Sequence, residues 1–190
     1  MLTDQKLIKD IKSGSQSAMD VLVKRHYKLV YSFMYRKTSN KSVAYDLTQE
    51  VFIKMLKKID RYSFSGEFKN WLLTIAVNHC RDYYRSKAYR ESTDNSEFKD
   101  NLHREKDDIT YIFNKNETRK QIKEALSTLP DMQKEAIILK YFHDLKINEI
   151  AEITETNSST VKSRLKQGMK KLEIILKGSD FFEETNRGKC

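Results

Sequence analysis

One proline and five glycines among 190 residues leave this chain few points where a helix is forced to break, which argues against sandwiches and barrels built from closely spaced turns. Cysteine is just as scarce. Cys80 and Cys190 lie far apart with no second cysteine near either, so neither a disulfide framework nor a zinc-ligand pair is implied. His26, His79, His103 and His143 are scattered and form no metal-ligand or nucleophile-base spacing. His79 and Cys80 are adjacent, and neighbours on a helix point about 100° apart, which suits half-buried core positions better than a shared metal ion. No cofactor or metal is expected. Long apolar runs are missing too, since none approaches the roughly 20 residues of a spanning helix. Charges at Asp4, Lys6 and Lys9 occupy the place where a signal peptide has its apolar core. The expectation is a cytoplasmic chain, not an integral membrane protein.

What is present is charge on a helical repeat. Thirty-six Lys and Arg face 27 Asp and Glu, for a formal net charge of +9, which points to a polyanion such as nucleic acid. Apolar residues recur at three and four positions almost throughout, so the predicted fold is all-α. Helices are expected at about 3–13, 15–37, 42–58 and 67–86, and again at 116–127, 131–142, 146–153 and 158–177. Between these groups residues 91–117 are rich in Ser, Thr, Asn and Asp and poor in aliphatics, the composition of a flexible acidic linker. Two small helical domains follow, 1–90 and 118–177, with a tail at 178–190. Net charge divides as +10 over 1–90, −4 over the linker and +3 beyond it.

The stretch from Asn148 to Leu165 has the order of a helix-turn-helix. Ile147, Ile150 and Ala151 give the first helix an apolar face. Asn157 or Ser158 can cap the second helix, and Val161, Leu165, Gly168 and Leu172 form its buried seam. Ser159, Lys162, Ser163, Lys166 and Lys170 are left outward, flanked by Thr160, Arg164, Gln167 and Lys171. These are donors suited to phosphates and base edges.

In the N-terminal half, Asp46, Gln49, Glu50 and Ile53 share one face of the 42–58 helix, opposite the apolar stripe of Ala44, Leu47, Val51 and Met55. Spacing alone favours a solvated face, and a metal or acid-base role for Asp46 and Glu50 finds no further ligands. The segment Asp60 to Glu67 then offers Arg61, Tyr62 and Phe64 ahead of a helix whose Asn70, Thr74, Asn78, Arg81 and Arg85 lie together. Basic and polar groups beside aromatics suit a single-strand reader. Tyr62 and Phe64 could equally cap the core.

These motifs together resemble the extracytoplasmic-function (ECF) group of bacterial RNA polymerase sigma factors, over nearly the whole chain. Asp46-Leu47-Thr48-Gln49-Glu50-Val51-Phe52 is similar to the family's Asp-Leu-x-Gln-Glu-x-Phe signature. Phe68-Lys69-Asn70-Trp71-Leu72, with Ile75-Ala76-Val77-Asn78 and Asp82-Tyr83-Tyr84-Arg85, resembles its central helix, while Glu149-Ile150-Ala151-Glu152 and Thr160-Val161-Lys162-Ser163-Arg164-Leu165 resemble its promoter-reading unit.

The resemblance implies that Asp46, Leu47, Gln49, Glu50 and Ile53 dock on the β′ clamp helices of core polymerase. It further implies that Arg61, Tyr62, Phe64, Asn70, Asn78, Arg81 and Arg85 read and melt the −10 element. Ser158, Ser159, Thr160, Lys162, Ser163, Arg164, Lys166 and Lys170 would read the −35 element. Implied partners are core polymerase, through its β′ clamp helices and β flap, promoter DNA and an anti-sigma factor; no small-molecule substrate and no catalytic residue is implied. The competing readings are a stand-alone repressor or activator and a nucleic-acid enzyme.

Three departures from the family pattern stand out. The loop has Tyr62-Ser63-Phe64-Ser65-Gly66 where Phe-Arg-Gly is usual. The helix-turn-helix turn is Thr154-Glu155-Thr156 in place of Leu-Gly-Ile, so Glu155 is expected in a left-handed conformation at a cost of roughly 1 kcal/mol. Lys146 stands where a Ser or Thr cap is usual, leaving Asp144 as a substitute; Pro130 is expected at the first position of its helix.

Overall fold

The computed structural model describes residues 2–63, 66–93 and 113–178, apart from the side chains of 88–93, 113–119 and Gly178. Four helices come first: α1 (Asp4–Lys12), α2 (Gln16–Thr38), α3 (Lys41–Lys58) and α4 (Phe68–Thr93). A 3₁₀ turn, Ile59–Arg61, follows α3. Four more, α5 (Phe113–Ser127), α6 (Asp131–Ile137), α7 (Ile147–Ile153) and α8 (Ser158–Gly178), make the C-terminal unit, and among the described residues there is no strand. The eight expected helices are all present. α4 and α5 reach a few residues into the stretch read as linker, and residues 94–112 and the tail from 179 lie outside the described residues.

Local chemistry sets the helix starts. Thr3, Ser15 and Asn40 each accept a hydrogen bond from the backbone N–H three residues on, capping α1, α2 and α3. α2 ends at Ser39, which takes a left-handed φ of 56° and donates its N–H to Tyr35 O. Leu22, Val30, Phe33 and Met34 of α2 then pack with Ala44, Val51 and Met55 of α3 and Leu72, Leu73, Ala76 and Val77 of α4, all fully buried. The His79 and Cys80 side chains are also buried, deeper than the half-buried positions expected; burial pushes the Cys80 thiol up to about 12.

In the C-terminal unit the expected 131–142 helix divides. α6 passes into a turn of π-helix, Ile138–Phe142, which buries Ile138 and Leu139. Pro130 sits one position earlier than expected, at the N-cap, where its carbonyl accepts from Gln133 and Lys134. Gly168 lets α8 press against α6: a Cβ there would lie 2.6 Å from Ile137 Cδ1 and 3.3 Å from Gln133 Cβ.

The two units touch along α2 and α4. Phe33 meets the His143 ring at 6.0 Å, and the Arg36 guanidinium lies 4.3 Å from the Phe142 ring centroid. Buried Lys37 donates to Asp131 O and lies 3.3 Å from Asp131 Oδ1, while buried Lys134 donates to Lys37 O at 2.8 Å. Burial, with Arg36 nearby, lowers the His143 pKa to about 4. An unfolded histidine takes a proton near pH 6.5, whereas the folded one stays neutral down to about 4, so stability is complete above that window and lost as pH falls through it. Denaturant titrations from pH 7 to 4 should show up to about 3 kcal/mol of loss from this source, and His143→Phe should remove that part of the slope.

Candidate nucleic-acid interface

The helix-turn-helix forms as its pattern requires. Asn157 caps α8 by accepting from Thr160 N at 2.7 Å, and Ser158 Oγ donates to Asn148 Oδ1 on α7 at 2.8 Å. Val161, Leu165, Gly168 and Leu172 are buried, whereas Ser159, Lys162, Ser163, Lys166 and Lys170 are exposed; Ser158, Thr160 and Arg164 are half-buried. The outer face of α8 is therefore an open row of hydroxyls and ammonium groups, a chemistry that matches phosphate oxygens. α7 is capped by other means than expected. Glu149 reaches back to accept from Lys146 N at 2.7 Å, so Glu149 takes the part assigned to Asp144.

Between the helices, Glu155 has φ +54°, the left-handed conformation expected of it. Thr154 is buried and donates to Ile150 O at 2.6 Å, while Thr156 N donates to Ala151 O. The turn holds its shape through backbone and hydroxyl hydrogen bonds, without a glycine.

The α4 face is formed, and it is covered. Asn70 Nδ2 donates to Glu149 Oε1 at 2.9 Å, and Asn78 Nδ2 to Glu155 Oε1 at 3.2 Å. Arg81 grips Glu135 through two hydrogen bonds, Nη2 to Oε1 at 2.6 Å and Nε to Oε2 at 3.2 Å, and also donates to Thr154 O. Only Arg85 at the far end stays exposed, 3.4 Å from Asp82 Oδ1. Asn70 Oδ1 is buried with no partner. Sequence reasoning placed these α4 residues on one face but missed Glu135, Glu149 and Glu155 as their partners. The unusual turn was the one available signal, because a strained non-glycine residue asks for a reason.

Two expected roles are corrected. The Tyr62 side chain is only 7% exposed; its ring packs on Phe68 and Trp71 at 5.6 and 5.0 Å, and its hydroxyl donates to Gly66 O. It caps the core and cannot stack on a base. Leu47, 4% exposed, belongs to the apolar stripe of α3 and cannot belong to the docking face. Arg61 is exposed, and Phe64 lies outside the described residues.

On α3, Asp46, Gln49, Glu50 and Ile53 are exposed together, with Tyr45 beside them. His79 anchors this face from beneath. Its Nδ1 is 2.7 Å from Lys54 Nζ, and its Nε2 stands 2.9 Å from Glu50 Oε2 but off the line of a hydrogen bond. Burial first, then Lys54, lowers the His79 pKa, so the ring is neutral at pH 7 and accepts from the ammonium. Among the described residues no cluster of His, Cys, Asp and Glu is arranged to hold a metal ion, and no helix is long and apolar enough to cross a membrane.

Two family models match in chain order, Sigma-70 region 2 over residues 22–90 and Sigma-70 region 4 over 119–172. The chain is 30% identical to the ECF RNA polymerase sigma-E factor of Escherichia coli K12 across 86% of its own length and 89% of that protein's. It is 34% identical to the RNA polymerase sigma factor SigV of Bacillus subtilis, covering 81% and 86% respectively. The fold is similar to that of the sigma factor RpoE in its co-crystal structure with the anti-sigma factor NepR from Bartonella quintana, with a TM-score of 0.68 and 23% identity over 90% of this chain and 99% of that one.

The Lys146 backbone N–H first, and the Asn70 amide second, hold the Glu149 carboxyl below the usual range. A carboxylate with a lowered folded pKa contributes at neutral pH, and the contribution is lost as pH falls through that lowered value. NMR titration of the glutamate carboxyls should find Glu149 ionising below the ordinary glutamate range. Glu149→Ala should lose about 1 kcal/mol with the cap and fray α7 in amide exchange.

Proposed function

The chain belongs to the sigma-70 family of RNA polymerase specificity subunits, in its extracytoplasmic-function group, and on that premise we propose how its surfaces divide the work of starting transcription. Residues 1–90 form the unit that binds core polymerase and the −10 element, and residues 118–177 form the unit that binds the −35 element. The stretch 91–117 links them through the enzyme, and the chain works in the cytoplasm.

Asp46, Gln49, Glu50 and Ile53 present an acidic face with an apolar knob to the β′ clamp helices, supported by their shared exposure on α3. Arg61 and the α4 face of Asn70, Asn78, Arg81 and Arg85 track the −10 strand, where cationic and amide donors meet phosphate and base acceptors. Phe64 is the remaining aromatic available to hold an unstacked base. The observation that carries the −35 assignment is the open face of α8: Ser159, Lys162, Ser163, Lys166 and Lys170 all point away from a seam that is itself buried.

DNA opening follows from binding energy, since holding an unstacked strand offsets the cost of unpairing it. The protein binds and orients, the phosphodiester chemistry stays with polymerase, and the chain itself is not an enzyme. Fold neighbours described as complexes with anti-sigma proteins support control by such a partner, one that keeps the sigma factor from polymerase until a signal arrives.

Purified protein added to core polymerase should start transcription at a defined promoter, and failure of both core binding and initiation would sink this reading. Two substitutions separate the surfaces. Glu50→Lys should weaken core binding at least tenfold in a competition assay while leaving duplex −35 binding by the C-terminal surface unchanged. Lys166→Ala should weaken −35 binding and reduce the slope of log K against log salt by about 1, as expected when one phosphate is left without its ammonium partner.

A further inference from the structure

We propose that His79 is a positioning residue for the exposed α3 face: it holds the Lys54 ammonium away from Glu50 and so keeps that carboxylate open to a cationic group on polymerase. This rests on reading the α3 face as the one that meets core polymerase. Glu50 and Lys54 stand four residues apart on one helix with the acid on the N-terminal side, the order in which such a pair closes most readily on itself. Among the described residues they do not close on each other: Lys54 Nζ lies 2.7 Å from His79 Nδ1, and Glu50 Oε2 stands 2.9 Å from His79 Nε2.

The ring is a wedge between two opposite charges. It comes from a different helix, α4, and its side chain is only 8% exposed, whereas that of Glu50 is 56% exposed. Burial first, and the neighbouring Lys54 charge second, lower the ring's pKa, so at neutral pH its Nδ1 can accept from the ammonium. Accepting there puts the ring's own proton on Nε2, and that buried nitrogen has no hydrogen-bonded partner. Glu50 is thus approached by the ring and bonded by neither nitrogen.

The consequence is electrostatic. A Glu–Lys pair closed on itself carries no net charge, and its ammonium would stand where a partner's cation has to come, a like-charge encounter that weakens an interface. Held against a neutral ring, the ammonium is drawn towards α4, and Asp46 and Glu50 present their charge undiluted beside Ile53. The histidine needs no contact with polymerase to do this.

The test measures binding of the full chain to purified core polymerase by competition at neutral pH. His79→Leu fills the same buried place without an acceptor, so Lys54 should swing to Glu50 and core binding should weaken about fivefold. Adding Lys54→Met should restore it to within about twofold of the parent. Lys54→Met alone should bind like the parent, its ammonium being already out of the way. His79→Asn, whose Oδ1 stands roughly where Nδ1 stood, should keep parent-like binding. A further measurement needs no variant: proton–nitrogen correlation spectra of the free chain should show the His79 ring neutral, with its proton on Nε2.

A loss in His79→Leu that Lys54→Met fails to restore overturns the proposal, because it marks a merely structural role. So does an equal gain from Lys54→Met in both backgrounds, which marks independent residues. A proton on Nδ1 overturns it as well, since that nitrogen could not then accept from Lys54. Glu50→Gln separates the two ideas, and should weaken core binding about as much as His79→Leu does. If Glu50→Gln weakens binding while His79→Leu binds like the parent, the positioning role alone fails. If core binding withstands Glu50→Gln, the docking reading of α3 fails and takes the positioning role with it.

Discussion

The Arg81–Glu135 pair is the interaction on which the arrangement of the two units depends. Glu135 is 1% exposed, and its charge is tolerable there only because a guanidinium from the other unit meets both carboxylate oxygens. Removing one partner of such a buried pair leaves an uncompensated charge, a loss of roughly 3–5 kcal/mol. Separating the units instead returns both groups to water, which costs far less. The pair therefore punishes misdocking severely and permits clean dissociation, a combination that apolar packing at the same place would not supply.

Around that pair, α4 serves two masters. Its inner side, Leu72, Leu73, Ala76, Val77 and Cys80, is fully buried and ties α2 and α3 into one body. Its outer side carries Asn70, Asn78 and Arg81, which hydrogen-bond outward to the C-terminal unit. His79 lies at the border and supports Glu50 and Lys54 on α3 from below. One rigid helix thus sets the positions of the exposed α3 acids and of the α4 donors, so neither surface can shift without the other.

Much of this was legible in the residues. The α8 seam and outer face follow from three-and-four spacing alone, and the structure keeps every member on its assigned side. Spacing placed Leu47 correctly in the apolar stripe of its helix, and only the motif resemblance drew it to the docking face. Tyr62 had two readings of equal weight on composition, and what decided it was long-range: Trp71 and Phe68 close over the ring, and Lys12 from α1 donates to the Tyr62 carbonyl. The Lys146 cap was misread because a carboxylate three residues on can cap a helix start backwards. The partners of Asn70, Asn78 and Arg81 come from 79, 77 and 54 residues away, respectively, beyond the reach of any local pattern.

Gly168 has a consequence for the history of such a protein. Because α8 is seated by close approach of its backbone to Ile137 and Gln133, its position is set by hard-sphere packing and owes little to the outward lysines. Those side chains can be exchanged without moving the helix or loosening its core. Under the −35 role proposed for that face, selection is then free to rewrite which sequences are preferred, one substitution at a time, on a scaffold that stays the same; the glycine at the back of the helix is what makes the front evolvable.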